Sequence, residues 1–179
     1  ANNQVVTIRN NTIQNIKRDA GIHITTGIQY SGIGGYDVTD NANIYANKIT
    51  EIDATNGQIY GINASWDNVG MAIYNKLIGN LISAGAEGEN MLIGIAVKNN
   101  EFKKVLVYYN TVYINNTSTA SFFGSSAMYS DTESALDLRN NIFVNTSSPA
   151  GSGKTVDFRR TGLSLFNYAA TSNNNLFYE

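Results

Sequence analysis

The chain has 179 residues, 42% of them hydrophobic, with 16 Gly, one Pro and no Cys. That length suits one folded domain with a sizeable core, and the composition excludes collagen-like and disordered chains. The absence of Cys excludes disulfides and thiolate metal sites, and a net charge of −2 offers no basic surface for nucleic acid.

One sequence pattern recurs along the chain. In chain order its copies are VTIRNNTIQNI from Val6, ANIYANKITEI from Ala42, MAIYNKLIGNL from Met71, VLVYYNTVYIN from Val105, ALDLRNNIFVN from Ala135, and the shorter SNNNLFYE from Ser172. With positions 11, 47, 76, 110, 141 and 175 aligned, successive copies lie 36, 29, 34, 31 and 34 residues apart. Five of these positions are asparagine, namely Asn11, Asn47, Asn110, Asn141 and Asn175, and the third is Lys76.

Apolar residues alternate on both sides of the aligned Asn. In the first copy Val6 and Ile8 precede Asn11 and Ile13 follows it. Apolar residues spaced by two predict strands with one buried face. The Asn lies between two such strands, at a sharp turn where we expect it to adopt positive φ. Identical turns stacked on one another predict a ladder of hydrogen-bonded Asn side chains.

A third apolar segment occurs once per repeat. These segments are GIHI from Gly21, GINA from Gly61, GIAV from Gly94, AMYS from Ala127 and VDFR from Val156. About three short strands per repeat, each repeat closing its core by stacking on the next, predict an all-β, right-handed parallel β-helix. We expect five to six coils forming a single domain over residues 1–179, with insertions between the second and third strands of a coil.

Two segments carry a family resemblance. VYYNTVYINN, ending at Asn116, and ALDLRNNIFVNTS, starting at Ala135, are similar to the parallel β-helix repeats of the pectate-lyase-like superfamily. The version they most resemble occurs in large bacterial secreted and surface-anchored proteins. The resemblance implies this fold and an extracellular or cell-surface location, on a scaffold that hosts polysaccharide lyases, glycoside hydrolases, adhesins and tail spikes.

Three pairs of acidic residues are candidates for enzyme chemistry. Lyases and hydrolases on this scaffold need convergent carboxylates with a basic residue nearby. The candidate pairs are Asp37 with Asp40, Asp131 with Glu133, and Asp137 with Asp157. The first two pairs fall in predicted turns, and alternation predicts that Asp137 and Asp157 face solvent on different strands. We therefore predict no catalytic residues, no metal site and no cofactor, while a polysaccharide lyase or hydrolase stays open as an alternative.

The position after the inward apolar residue forms an outward column. It is occupied by Arg9, Tyr45, Tyr74, Tyr108 and Arg139. Tyrosines about 4.8 Å apart can stack, and arginines can lie over the terminal rings. One interpretation is a structural stack that stiffens the sheet. The other is an aromatic surface that binds polysaccharide or a cell-surface protein, which would make the chain a carbohydrate-binding module.

Strand-like sequence runs from Val5 to Tyr178 without an amphipathic helix at either end. A β-solenoid whose end coils are uncovered exposes core side chains and unpaired strand groups. We therefore predict a non-catalytic structural or adhesive module at the bacterial cell surface, whose partners are neighbouring solenoid coils or further copies stacked into a filament. No apolar run approaches the roughly 18 residues of a membrane span, so no membrane span is expected. The net charge of −2 makes a nucleic-acid partner unexpected.

Overall fold

The chain folds into a parallel β-solenoid. The computed structural model describes residues 5–18, 23–31, 41–65, 70–78, 81–82, 87–98, 104–131, 135–162, 165 and 168–179, which contain strands and no helix. The strands are β1 (Val5–Arg9), β2 (Thr12–Ile13), β3 (Ile16–Arg18), β4 (Ile24–Ser31), β5 (Asn41–Ile49), β6 (Ile52–Ala54), β7 (Gln58–Ser65), β8 (Gly70–Ile78), β9 (Leu81–Ile82), β10 (Gly88–Lys98), β11 (Lys104–Tyr108), β12 (Thr111–Ile114), β13 (Phe123–Ser130), β14 (Ala135–Arg139), β15 (Ile142–Asn145), β16 (Thr155–Arg160) and β17 (Leu176–Tyr178).

Three parallel sheets surround the core. A long sheet holds β1, β2, β5, β8, β11, β12, β14, β15 and β17, and a corner sheet holds β3, β6 and β9. A back sheet has the order β16-β13-β10-β7-β4. Every strand pair in these sheets is parallel. The all-β parallel architecture is therefore confirmed.

The solenoid makes about four turns, slightly fewer than the five to six coils predicted. The back sheet has five strands and hence four steps between coils. The last sequence copy adds only β17 and bridges from Tyr168 and Asn173 to β14, so it does not complete a coil.

One continuous core fills the interior. Ile8 pairs with Ile44, Ile44 with Ile73, and Val107 with Leu138, as the aligned columns predict. The largest fully buried side chains are Phe123, Phe143, Ile44, Ile49, Ile52, Ile59, Ile62 and Leu92. Each contributes roughly 1.5–3 kcal/mol through removal of apolar area from water, which is the main force holding the coils together.

The back sheet corrects the predicted alignment of the third segment. Flanking pairs place Gly27, not Gly21, opposite Gly61, and place Asp157 opposite Ala127. A Cβ at Gly27 would lie 2.7 Å from the Gly61 carbonyl oxygen, which allows only glycine there without a backbone shift. In the back sheet, the residues that face one another therefore run from Gly27 through Gly61 to Ala127 and Asp157.

The turns correct a second prediction. Positive φ falls on the residue before each aligned Asn, namely Asn10 (58°), Ala46 (53°), Tyr109 (53°), Asn140 (54°) and Asn174 (54°). The preceding residue makes the turn, so that the aligned Asn points its amide inward, where Asn47, Asn110 and Asn141 are buried. In the third coil Asn75, not Lys76, pairs with Asn47, because that coil lacks a counterpart of Ala46.

Candidate functional site

Main-chain pairing brings the predicted outward column together. We call Arg9, Tyr45, Tyr74, Tyr108 and Arg139 the tyrosine column. Arg9 pairs with Tyr45, Tyr45 with Tyr74, and Tyr108 with Arg139 across the long sheet. The side chain of Tyr74 lies outside the described residues. The register thus places these residues in one row, whereas a binding role for the row stays a prediction.

At the N-terminal end of the tyrosine column an arginine covers a ring. The Arg9 guanidinium carbon lies 5.9 Å from the centre of the Tyr45 ring, and its Nη1 donates to Tyr45 Oη at 3.0 Å. Arg9 is exposed and Tyr45 is half-buried. A cation–π contact at such a surface is worth about 0.5–1 kcal/mol. The pair therefore lies at the solvent-facing surface of the long sheet, with the Tyr45 hydroxyl bonded to Arg9.

At the C-terminal end the same arrangement is tied to a buried carboxylate. The Arg139 guanidinium carbon lies 5.2 Å from the Tyr108 ring centre. Tyr108 Oη donates to Asp137 Oδ2 at 2.9 Å, while Arg139 donates through Nη2 at 2.7 Å and through Nε at 2.9 Å. Thr171 Oγ1 also donates to Asp137 Oδ2, at 2.9 Å.

The prediction that Asp137 faces solvent was wrong. Its side chain is fully buried, because residues 168–173 run alongside β14 and cover it. Ala169 N donates to the Leu136 carbonyl at 2.7 Å, and Asn173 N donates to the Leu138 carbonyl at 3.0 Å. Asp137 is therefore a clasp between the last complete coil and the C-terminal segment, with donors occupying both of its oxygens.

A second aromatic cluster lies on the outer face of the back sheet. Lys98 Nζ donates to Tyr60 Oη at 2.6 Å and lies 4.3 Å from the Tyr60 ring centre and 5.4 Å from that of Tyr129. Burial raises the pKa of Tyr60 to about 12. Burial also lowers the pKa of Lys98, and the charge of Asp131 opposes that shift. The cluster is a desolvated cation between two rings.

The sequence analysis missed this cluster, although one signal was present. Tyr60 pairs with Ile93 and Tyr129 with Ala96, so the rings belong to different outward columns and no single column shows them. The signal is the unbroken run of apolar residues and glycine from Leu92 to Val97, because a strand without polar residues on either face is covered on both, and the structure buries all six.

The third candidate lies at the C-terminal end of the core. Asp157 borders an open surface pocket of about 610 Å³, lined also by Val156, Phe158, Phe177, Tyr178 and Glu179. Asp157 is only 7% exposed, and its Oδ1 has no hydrogen-bond partner within the described residues. Burial, and then the charge of Glu179, raise its pKa to about 6, while the backbone N–H of Asn145 opposes the shift by donating to the carboxylate.

The prediction that Asp157 faces outward was also wrong. Its counterparts one coil earlier, Ala127 and Met128 opposite Asp157 and Phe158, are both in the core. Two successive inward residues break the alternation at this point of the back sheet. Asp157 and Asp137 therefore lie on different sheets, one at the end of the core and one under the C-terminal segment, and they do not form a pair.

The remaining acidic candidates give no cluster. Asp37, Asp40 and Glu133 lie outside the described residues. Asp131 is half-buried just after β13, near Lys98. Among the residues with described positions, no three His, Asp or Glu side chains come close enough to hold a metal ion together. Nor does any helix in those ranges have the length and apolarity to cross a membrane.

Comparison with protein-family models, with curated proteins and with solved structures finds no match to this chain. The likeness to pectate-lyase-type repeats therefore rests on the sequence motifs, and what the structure adds is the parallel β-solenoid fold.

Proposed function

We propose that the chain is a non-catalytic structural module of a bacterial surface or secreted β-solenoid, and that copies of it stack head to tail. The observation that carries this proposal is the complementarity of its two outermost coils. Among the described residues, one end offers Asn donors without a partner and the other offers the matching acceptor. The surface location follows the motif resemblance, which is the only support for it.

The hydrogen bonds between aligned Asn residues share one direction along the solenoid. Asn11 donates through its backbone N–H and its Nδ2 to Asn47 Oδ1, at 3.1 and 2.9 Å. Asn141 donates in the same way to Asn175 Oδ1, at 3.1 and 2.8 Å. In every such pair the earlier coil donates and the later coil accepts. Among the described residues, these bonds connect Asn11 to Asn47 and, separately, Asn110 to Asn141 and Asn141 to Asn175. That the same bonds continue through the third coil stays a prediction.

The direction of these bonds leaves opposite groups at the two ends. Asn175 uses one side-chain hydrogen for the Leu138 carbonyl at 2.9 Å, and its backbone N–H has no partner among the described residues. At the other end no described donor reaches Asn11 Oδ1. A second copy placed on the C-terminal coil would bring its Asn11 Oδ1 to the Asn175 donors. Such a contact repeats the internal geometry and does not close on itself.

Apolar side chains at the two ends match as well. Ile13 begins the column that continues through Ile49, Val112 and Phe143 and ends at Phe177. Phe177 is 43% exposed, and Val6 and Ile24 at the other end are 40% and 60% exposed. Stacking would place β2 of the incoming copy beside β17 and cover Phe177, and such exposed apolar edges otherwise invite association.

Sedimentation velocity over a concentration series, at pH 5 and at pH 7.5, tests this function. We expect species at multiples of the 19.5 kDa chain in at least one of these buffers. Phe177→Lys should abolish them by placing a charge on the end face. Asn115→Lys, an exposed position on the side of the solenoid, adds the same charge and should not. A monomer at every concentration in both buffers would overturn the proposal.

The enzyme alternative is tested separately. Incubation with uronate and neutral polysaccharides, with and without calcium, should release no reducing ends and no unsaturated products. The support is that Asp137 is held by Arg139, Tyr108 and Thr171, while Asp157 lies apart from it on another sheet. Turnover that disappears in Asp137→Asn or Asp131→Asn would restore a lyase or hydrolase.

A second candidate function is binding of a polysaccharide along the tyrosine column. It is favoured by the single row that Arg9, Tyr45 and Tyr74 form by register on the outer face of the long sheet. Phenol rings offer apolar faces and hydroxyls to sugars. Retention on a polysaccharide affinity gel should be lost in Tyr45→Ala and kept in Tyr113→Ala, a half-buried tyrosine outside the column.

A further inference from the structure

We propose that the open surface pocket at the C-terminal end of the core binds a primary alkylammonium ion, whose charge lies between the carboxyls of Asp157 and Glu179 and whose stem lies on the neighbouring rings. All of these residues belong to one chain, so the site does not depend on head-to-tail stacking. The first support is the position of Asp157 in the back sheet.

Asp157 is a carboxylate in a column of small residues. Register across the back sheet aligns it with Gly27, Gly61, Gly94 and Ala127. Ala127, one coil earlier, is a core residue, and Asp157 itself is only 7% exposed. A carboxylate enclosed without a partner costs stability, and Ala127 shows that a methyl group fits this column. Strongly desolvated carboxyls beside a pocket are characteristic of functional sites.

The Asp157 carboxyl has an unused acceptor. Its Oδ1 accepts no hydrogen bond from any described residue, while the backbone N–H of Asn145 donates to the carboxylate. Arg159, on the same strand, is already paired with Glu89. A donor that enters from the pocket would therefore satisfy an acceptor that the described part of the chain leaves open.

A second carboxyl borders the same pocket. Burial, and then the charge of Glu179, raise the pKa of Asp157 to about 6. Glu179 is exposed, so its carboxyl can be reached from solvent. Two negative charges that are close enough to shift a pKa repel each other, and a cation held between them would remove this repulsion.

The lining favours an ammonium ion over a metal ion. Calcium takes about six to eight oxygen ligands, whereas no three His, Asp or Glu side chains come together anywhere in the described ranges. An ammonium group carries several N–H donors, and carboxylate oxygens accept them. The site thus matches the donors and the single charge of an amine.

Aromatic rings supply an apolar surface for the stem. The ring centres of Phe158 and Phe177 lie 6.4 Å apart, and the ring planes differ by 22°. Phe177 is 43% exposed, and Tyr178 beside it is 60% exposed. An alkyl stem would cover part of this surface, and the cation can also lie against a ring face. The pocket volume of about 610 Å³ can hold such a ligand.

The groups around Asp157 define how binding depends on pH. The neighbouring strands β13 and β15 contribute no charge, since they present Ala127, Met128 and Asn145. The charged and titratable side chains nearby are those of Tyr178 and Glu179 at the pocket and of Arg159 and Arg160 on β16. Because an ammonium ion favours the ionised carboxyl, the affinity should fall by about tenfold per pH unit below the pKa of Asp157.

Isothermal titration calorimetry with hexylammonium chloride, in dilute protein at constant ionic strength, tests the site. At pH 7.5 we expect Asp157→Asn to weaken binding at least about tenfold, because it removes the charge that the ligand needs. Glu51→Gln, which removes one charge at an exposed position between β5 and β6, is the matched control and should keep the wild-type Kd. 1-Hexanol, with the same stem and no charge, should bind at least about tenfold more weakly. Equal affinities of the wild type and Asp157→Asn for hexylammonium, or no binding, overturn the proposal.

The same ammonium group ends a lysine side chain, so Nα-acetyl-lysine amide is the second probe. Tighter binding of hexylammonium would assign the pocket to small amines, and tighter binding of the lysine probe would assign it to a side chain of another protein. Both results support an alkylammonium site, and failure of both probes to bind overturns it.

A further measurement does not depend on the folding of a variant. Carbon-detected NMR of the wild type gives the pKa of the Asp157 carboxyl with and without saturating hexylammonium. Binding should lower this pKa, because a nearby cation favours the ionised form. An unchanged pKa overturns the site and leaves the stacking proposal as it stands.

Discussion

The backbone N–H and the side-chain Nδ2 of Asn110 both donate to Oδ1 of Asn141 in the next coil, each at 2.9 Å. Asn141 in turn donates its Nδ2 to the Val107 carbonyl at 2.7 Å. Both asparagines are buried, so these bonds satisfy polar groups that water does not reach. They fix the register of adjacent coils at the turn.

Replacing Asn141 with Val should therefore destabilise the fold. Val keeps a similar volume but removes the acceptor for two donors of Asn110, one of them a buried backbone N–H. We expect a loss of roughly 1–3 kcal/mol in the free energy of unfolding, measured by urea denaturation. The matched control is Asn140→Gly, because Asn140 has a φ of 54° that glycine adopts without strain. Equal midpoints for Asn141→Val and the wild type would contradict the hydrogen-bonding role.

The Lys98, Tyr60 and Tyr129 cluster predicts a loss of stability at high pH. The folded pKa of Tyr60 is about 12 against an ordinary value of 10.0, so folding favours the neutral phenol. Its contribution is fully present below pH 10 and is lost as the pH rises through 12, by roughly 2 kcal/mol. Thermal unfolding between pH 9 and pH 12 should show this decline in the wild type. Tyr60→Phe, which cannot ionise, should show a smaller one, and parallel curves would contradict the assignment.

The Asp137 clasp predicts local release of the C-terminal segment. Asp137→Ala removes the acceptor shared by Arg139, Tyr108 and Thr171, so residues 168–179 should exchange their amide hydrogens faster. Hydrogen exchange followed by mass spectrometry measures this directly. Asp53→Ala, a half-buried position on the corner strand β6, is the matched control and should leave those residues protected. Unchanged protection in Asp137→Ala would show that the segment is held by other contacts.

The columns of the core could be predicted from the sequence because they depend on local alternation. Ile8, Ile44 and Val107 lie in register as expected, since each coil repeats the same inward positions. The turn was predicted one residue late. An aligned Asn signals the turn, but the buried amide and the left-handed backbone belong to adjacent residues such as Asn141 and Asn140.

The chemistry of the surfaces could not be predicted in the same way. Asp137 is buried by residues that follow it by more than 30 positions, and no local pattern contains that contact. Asp157 points inward because the back sheet carries two successive core residues, which alternation does not represent. Lys98 reaches Tyr60 from a different coil, 38 positions away in the chain. Each of these depends on packing between coils rather than on the strand itself.

Head-to-tail stacking can be tested most directly by disulfide trapping, because the native chain contains no Cys. Thr12 and Leu176 belong to one column of the long sheet and stand on its two outermost coils, where both are exposed. In a stacked pair their Cα atoms would lie about 4.8 Å apart, within the range that a disulfide spans. A mixture of Thr12→Cys and Leu176→Cys chains, exposed to a mild oxidant, should yield the mixed dimer. Replacing Thr12→Cys by Thr117→Cys, an exposed position on the side of the solenoid, should not. Mixed dimers no more abundant than the homodimers of either chain would contradict the account.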